Sequence, residues 1–411
     1  MFEGEGGIRL KVPFSRPDIS DAEIKRVNDV LKSGWITTGP AVREFEQESR
    51  KMTGSSGCAA FSSATAALEA ILRFLGIGEG DEVILPAYTF TATASPVIHV
   101  GAKPVLADCA SGSYEIDYER LPELVTDRTK AVIAVDLGGI IADYDSIYRA
   151  AENGQNRFSP SNDRQTELGR IAVIADAAHS FGSSRRGIPA GSWADFSSFS
   201  FHAVKNVTCA EGGAAVWKGM EYTDNDEIYS FFRTYALHGQ TRDAFSRGDG
   251  KSWKYDIDYP AYKCNMTDIS AAVGLAQIER FPEMTAKRKR LIEKYNAAFS
   301  GTGLILLEHY SEDNDSNGHL YLVRIPGITE EQRDEVISEM RDRGIACNVH
   351  YRPLPMLKAY RDLGYEISDF PHAYDQYRNT ISLPLFSVMS DKECQYVVDS
   401  FLDILCRRGV L

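Results

Sequence analysis

The chain has 411 residues, 43% of them hydrophobic and 25% charged, with a formal net charge of −13. That length holds a large domain and a smaller one, each with its own core. A field of that sign repels nucleic acid and anionic membranes, yet leaves room for a small anionic substrate in a local cationic pocket.

The first residues, MFEGEGGIRLKVPF, carry two early glutamates and no long apolar run, so no signal peptide is expected. No stretch reaches the roughly 18 uncharged apolar residues of a membrane span. Ser20 and Glu23 spell a capping box, and Ile24, Val27, Val30 and Leu31 give the helix behind it an apolar stripe. Residues 65–75 (TAALEAILRFL) predict a second helix. Short Val- and Ile-rich runs then recur at 82–85, 104–107, 131–135, 171–175, 196–200 and 214–217. They predict strands of a buried, mostly parallel sheet, and their alternation with helices predicts a doubly wound α/β domain. The polar stretch 152–170 reads as a surface excursion or, less simply, a substrate lid. From Met284 the pattern changes: a basic helix, a strand at 319–325, a helix at 330–343, a strand at 346–350 and a helix after Ser390. This predicts a smaller α+β domain, 284–411, beside a large domain, 1–283. Seven cysteines at scattered spacings, with no CxxC pair, predict a reduced cytoplasmic protein and no metal site.

Three features carry chemistry. Ser62–Thr65 opens a helix, either as ordinary capping or as an anion site at the positive end of the helix dipole. Asp176 ends an apolar strand, the edge where open α/β sheets bind ligands, or it caps the next helix; His179 lies one turn on. Lys205 comes after the strand in SFSFHAVKN, ahead of a Gly-Gly turn. It is either a solvated surface lysine or a desolvated amine suited to a Schiff base. Together they fit the needs of pyridoxal phosphate (PLP): an amine for its aldehyde, a carboxylate for its ring nitrogen, a phosphate cradle and a flat neighbour such as Phe90. No GxGxxG joins a strand to a helix, which argues against a dinucleotide enzyme.

Nine segments, in order, resemble the DegT/DnrJ/StrS-type nucleotide-sugar aminotransferases, a branch of the fold-type I PLP enzymes. They are GWITTGPAVREFE (34–46), SSATAAL (62–68), GDEVILPAYTFTATA (80–94), DAAHSFG (176–182), SFSFHAVKN (198–206), EGG (211–213), NMTDISAAVGLAQ (265–277), VHYRPL (349–354) and SLPLF (382–386). The resemblance implies a mostly parallel seven-stranded sheet sandwiched by helices, with a smaller C-terminal α+β domain. It implies a cytoplasmic homodimer in polysaccharide biosynthesis, with active sites shared across the interface, moving an amino group from an amino acid to a keto-sugar nucleotide.

The same resemblance assigns roles. Lys205 matches the Schiff-base lysine that also shuttles a proton. Asp176 matches the partner of the ring nitrogen, and His179 stands where the family has Gln or His bonded to the ring hydroxyl. Phe90 matches the residue stacked on the ring; Ala64, Thr65 and Ser200 match the phosphate ligands, and Ser63 joins them from the reading of the helix start. Asn265, with Lys263 second, matches the residue that completes that site in the neighbouring subunit. Trp35, Thr38, His350 and Tyr351 are expected at the sugar-nucleotide, the last two against the alternative of a strand-end pair. His238–Gly239 matches a loop near the site or is structural, and the basic stretch 233–254 neutralises a pyrophosphate or is simply solvated. His202 is expected to be structural. Asp136 stands where many members have His, which bears on substrate choice. Some relatives are sugar dehydratases in which the lysine is replaced, and Lys205 argues against that reaction. A non-catalytic PLP-binding regulator is the other alternative.

Overall fold

Strand direction determines where this chain can do chemistry. In the computed structural model, which describes residues 10–220, 223–241 and 255–411, seven strands form one sheet: β1 (Gly57–Phe61), β2 (Glu82–Pro86), β3 (Lys103–Ala107), β4 (Thr129–Val135), β5 (Ala172–Asp176), β6 (Phe196–Ser200) and β7 (Gly213–Trp217). Their order is β1-β7-β6-β5-β4-β2-β3. The pairs from β3 through β6 are parallel, and β7 runs antiparallel to both β6 and β1. Two reversals restore the direction of β1, so β1, β2, β4, β5 and β6 all end on the same edge.

Both faces of the sheet are buried. Val132 and Val173 enter one core while their neighbours Ile133 and Ile174 enter the other, as the two-residue period of a strand requires. The sequence reading missed β1. Its GCAAF lacks β-branched residues, and its place comes from packing: a Cβ at Gly57 would meet the Trp217 ring at 2.0 Å.

Helix α1 (Asp21–Ser33) carries the predicted capping box, but its apolar stripe does not face the core. Ile24 and Leu31 are 55% and 51% exposed, whereas Glu23 is 2% exposed. Glu23 accepts from Gln277 at 2.7 Å and Arg280 at 2.8 Å, and Arg280 also reaches Asp18 at 2.6 Å. These buried charge-assisted bonds set the rotation of the helix against the stripe. Helix α2 (Pro40–Thr53) comes next, and helix α3 (Ala64–Phe74) matches the second predicted helix.

The stretch 152–170 is an ordered brace. It holds the end of helix α4 (Tyr144–Asn153) and a short helix α5 (Asp163–Leu168) capped by Asn162. Gln165 Nε2 donates to Leu75 O at 3.1 Å, Asn162 Nδ2 donates to Gly76 O at 3.1 Å, and Arg164 lies 4.1 Å from the Phe74 ring centroid. These contacts all grip the C-terminal end of α3, the end away from the reactive edge, so the lid alternative fails.

The predicted basic helix is longer than expected. Helix α6 runs unbroken over Asp268–Phe299, with Pro282 inside it. It feeds the sheet's core up to Phe281 and, from Leu291, a third core. That core lies under strands β8 (Ile305–Leu306), β9 (Tyr321–Arg324) and β10 (Thr380–Leu383), with helices α7 (Glu330–Asp342) and α8 (Asp391–Arg407). The strand predicted at 346–350 does not form. Isolated bridges hold this stretch instead, Val12 to Ile345 and Asn348 to Ser382, the second on the open edge of β10. No helix among the described residues is long and apolar enough to cross a membrane.

Replacing Gln165 with Ala leaves the Leu75 carbonyl with only the 3.3 Å bond from Asn162. The expected loss is about 1–2 kcal/mol. It is read as a lower denaturation midpoint with unchanged cofactor absorbance.

Candidate active site

The shared edge gathers the predicted groups around one cavity of about 430 Å³. Asp176 is the last residue of β5. Its Oδ2 accepts from Thr93 Oγ1 at 2.6 Å and its Oδ1 from Ala178 N at 3.3 Å. Burial raises its pKa, opposed by those two donors and by the Lys205 charge. Lys205 sits in a tight turn after β6, its N–H donating to His202 O at 2.9 Å. Burial lowers its pKa to about 8, with the Asp176 charge pulling the other way.

On the same edge, β1 hands over to α3. Ser63 caps this helix, accepting from Ala66 N at 3.1 Å. The N–H groups of Ala64 and Thr65 have no acceptor within the helix, and both residues line the cavity. Strand β7 presses against this turn so closely that a Cβ at Gly213 would lie 2.2 Å from Ala64 N. Ser198 Oγ donates to Ala64 O at 2.8 Å, and Ser200, two residues along the same face, borders the cavity. Phe90, after β2, is 55% exposed, which leaves its ring free to cover a flat ligand.

His179 lies just beyond β5. Gly138 N donates to its Nδ1 at 3.2 Å, and its Nε2 lies 2.9 Å from Tyr351 Oη. Burial, with the Lys205 and His350 charges, lowers its pKa well below the usual imidazole range.

Nine of the predicted residues therefore meet at the cavity: Ser63, Ala64, Thr65, Phe90, Asp176, His179, Ser200, Lys205 and Tyr351. Five do not line it. Lys263 and Asn265 bond each other, and Asn265 Nδ2 donates to Thr38 Oγ1 at 2.6 Å. Thr38 donates on to Met266 O at 2.6 Å. Trp35 donates to Thr38 O at 3.1 Å, outside the cavity. His350 turns away from the cavity, its Nδ1 2.8 Å from Ser382 Oγ and its ring stacked on Phe14 at 5.3 Å.

Two further expectations change. His202 lines the cavity, half exposed, with Glu211 3.6 Å away. Asp136 does not line it. Tyr144 and Ala142 donate to its Oδ1 at 3.0 Å and Ser180 to its Oδ2 at 2.6 Å, so it organises the scaffold behind His179. His238 takes a left-handed φ of 61°, and a Cβ on Gly239 would meet Tyr259 O at 1.8 Å, a tight structural turn. Arg242, Arg247, Lys251 and Lys254 lie outside the described residues.

The sequence reading also missed Thr93, Gly138, Ser198 and Gly213. The Ser198/Ser200 alternation was a readable signal, since residues two apart share a strand face. Thr93 and Gly138 were not readable, because each meets its partner across more than forty residues of chain.

These residues fit PLP on structural grounds: an amine whose pKa burial lowers to about 8, a buried carboxylate whose pKa burial raises and a helix terminus with free N–H groups. The chain matches the DegT/DnrJ/EryC1/StrS aminotransferase family over residues 17–402. It is 36% identical over 401 residues to the spore coat polysaccharide biosynthesis protein SpsC of Bacillus subtilis, across 96% of this chain and 97% of that one. Among solved structures, Spr1654 from Streptococcus pneumoniae, a candidate sugar aminotransferase in its PLP form, superposes with a TM-score of 0.93. That pair is 45% identical and covers 98% of this chain and 100% of the other. Helicobacter pylori PseC, an aminotransferase involved in the biosynthesis of pseudoaminic acid, gives 0.85 at 25% identity over 97% and 100%. Matched along nearly its whole length in sequence and in fold, the chain belongs to the DegT/DnrJ/EryC1/StrS aminotransferases and is a PLP-dependent enzyme.

Proposed function

We propose that the enzyme takes an amino group from an amino acid, L-glutamate first among them, and delivers it to a 3- or 4-keto sugar carried on a nucleoside diphosphate. The cycle is ping-pong, and the setting is polysaccharide biosynthesis in the cytoplasm. The observation that carries this reading is Lys205, a lysine with a lowered pKa beside a buried aspartate. The names of relatives support it: SpsC is named for spore coat polysaccharide biosynthesis, and DesI was solved in the presence of its TDP-sugar product. Lys205 also disfavours the dehydratase reading.

When bound, PLP supplies an electron sink that makes the α-proton of an amino acid removable. Lys205 would hold the cofactor's aldehyde carbon, and its Nζ would carry a proton between the amino-acid α-carbon and the cofactor's C4′. Asp176 holds a proton on the ring nitrogen. Ser63, Ala64, Thr65 and Ser200 seat the phosphate, with Asn265 and Lys263 of a second copy completing it. Phe90 covers one ring face and excludes water from it. The proposed division into 1–283 and 284–411 is supported by the change of core along α6 between Phe281 and Leu291, while Val12 packs in the small core and Leu354 and Tyr360 pack in a core of the sheet.

Incubating the holoenzyme with labelled glutamate and a panel of 3-keto and 4-keto sugar nucleotides tests the reaction. Transfer of nitrogen to one acceptor is expected, and no transfer to any would favour the regulatory reading.

Apoprotein should load PLP at a rate that rises about fivefold from pH 7 to pH 8, gains about twofold more and levels above about pH 9, because the Lys205 amine is half neutral at about 8. An ordinary lysine would keep gaining to about pH 10.4. Lys205→Ala should leave no borohydride-fixed cofactor; a reducible adduct in that variant would reassign the lysine.

Asp176→Asn should retain PLP and lose about 10²–10³-fold in kcat, the usual cost of removing one charge-stabilising partner. Stopped-flow single turnovers would locate that loss in the proton-transfer step.

A further inference from the structure

Tyr351 is the one residue beyond position 284 that lines the cavity among the described residues. Its ring stands 5.6 Å from Phe90 and 5.9 Å from His179, beside the place where Phe90 would cover the cofactor. Its hydroxyl oxygen lies 2.9 Å from His179 Nε2.

The direction of that bond is fixed by the other side of the imidazole. Gly138 N–H can only donate, and it donates to His179 Nδ1 at 3.2 Å. Nδ1 therefore carries no proton. The ring is held neutral, so its single proton sits on Nε2 and is donated to Tyr351 Oη. Both nitrogens of His179 are then engaged within the protein, and neither is free for a ligand. Tyr351 is the reverse case. Its oxygen accepts from His179, burial keeps the phenol protonated, and its own O–H has no acceptor among the described residues.

We infer that the Tyr351 hydroxyl, oriented by His179 and Gly138, donates to the ring oxygen of PLP, with His179 acting behind it as a positioning residue. This rests on the cofactor seat proposed at Lys205, Asp176 and Phe90. The resemblance placed His179 itself on that oxygen; the hydrogen-bond chain puts a phenol from the far end of the sequence between them. A donor there stabilises the negative oxygen and weakens its hold on the proton it shares with the lysine nitrogen. The bound cofactor's visible band then changes at a lower pH. The other charged or titratable groups facing this place are Asp176, Lys205, His202 and Glu211 at the cavity, with His319 and His350 behind His179.

The test is an absorbance titration of the holoenzyme, with PLP in excess, for wild type, Tyr351→Phe and His179→Gln. Tyr351→Phe is expected to raise the midpoint by about one unit or more, the effect of losing a hydrogen bond to a charged group. His179→Gln should shift it less. An unmoved midpoint in Tyr351→Phe overturns the inference, as does a larger shift in His179→Gln. A changed KM for either substrate with an unmoved midpoint overturns it too, by putting the hydroxyl on the substrate.

If Tyr351→Phe does not fold, nitrogen-15 NMR of histidine in the wild-type holoenzyme decides. His179 should keep a bare Nδ1 and a protonated Nε2, and scalar coupling across its hydrogen bond should end on the phenol oxygen's proton network and not on the cofactor. A direct bond from Nε2 to the cofactor overturns the assignment. Absence of any visible band in wild type would instead reject the cofactor seat.

Discussion

A carboxylate at the end of a buried parallel strand has to be satisfied by groups from other parts of the chain, and at Asp176 that requirement organises the site. Thr93 comes from the helix after β2, Ala178 from the turn after β5, and the Asp176 carbonyl accepts from Asp136 N at 3.1 Å. Three strand ends are thereby tied at one point. The antiparallel return of β7 keeps β1 and β6 pointing at that same point, so the N-terminus of α3 and the Lys205 turn arrive there as well.

Lys205 and Asp176 share one electrostatic situation. Burial disfavours the charge on each, and each charge partly restores the other. Moving a lysine from 10.5 to about 8 corresponds to roughly 3 kcal/mol of unfavourable environment for its charged form. The two-sided core of the sheet must offset that cost, which is the usual relation between a reactive group and its scaffold.

Much of this was legible in the sequence because its signals were local. Val- and Ile-rich runs marked six strands, the capping box marked α1, and the motifs placed Lys205 and Asp176 at strand ends. What escaped was decided by packing between distant segments. β1 has a sequence poor in strand formers and is held by Trp217. α1 turned its apolar stripe outward because Glu23 found buried partners on α6. The stretch 152–170 looked loose because its polar side chains are spent on the backbone carbonyls at Leu75 and Gly76. His350 and Tyr351 are adjacent, yet one bonds Ser382 and the other faces the cavity. Nothing in the pair itself tells which.

Helix α6 carries a mechanical consequence. Its 32 residues make a rod about 48 Å long, sunk at one end beside the sheet and at the other in the small core. No loop separates the two cores along this path, so they cannot swing freely about a linker there. Displacement of one against the other must flex the rod. Pro282 removes the N–H that would bond the Ile278 carbonyl, which makes that turn its most compliant point. The loop bearing Tyr351 is bridged to β10 of the small core through Asn348 and Ser382. A bend at Pro282 would therefore carry the phenol along with the small core, through the Asn348–Ser382 bridge.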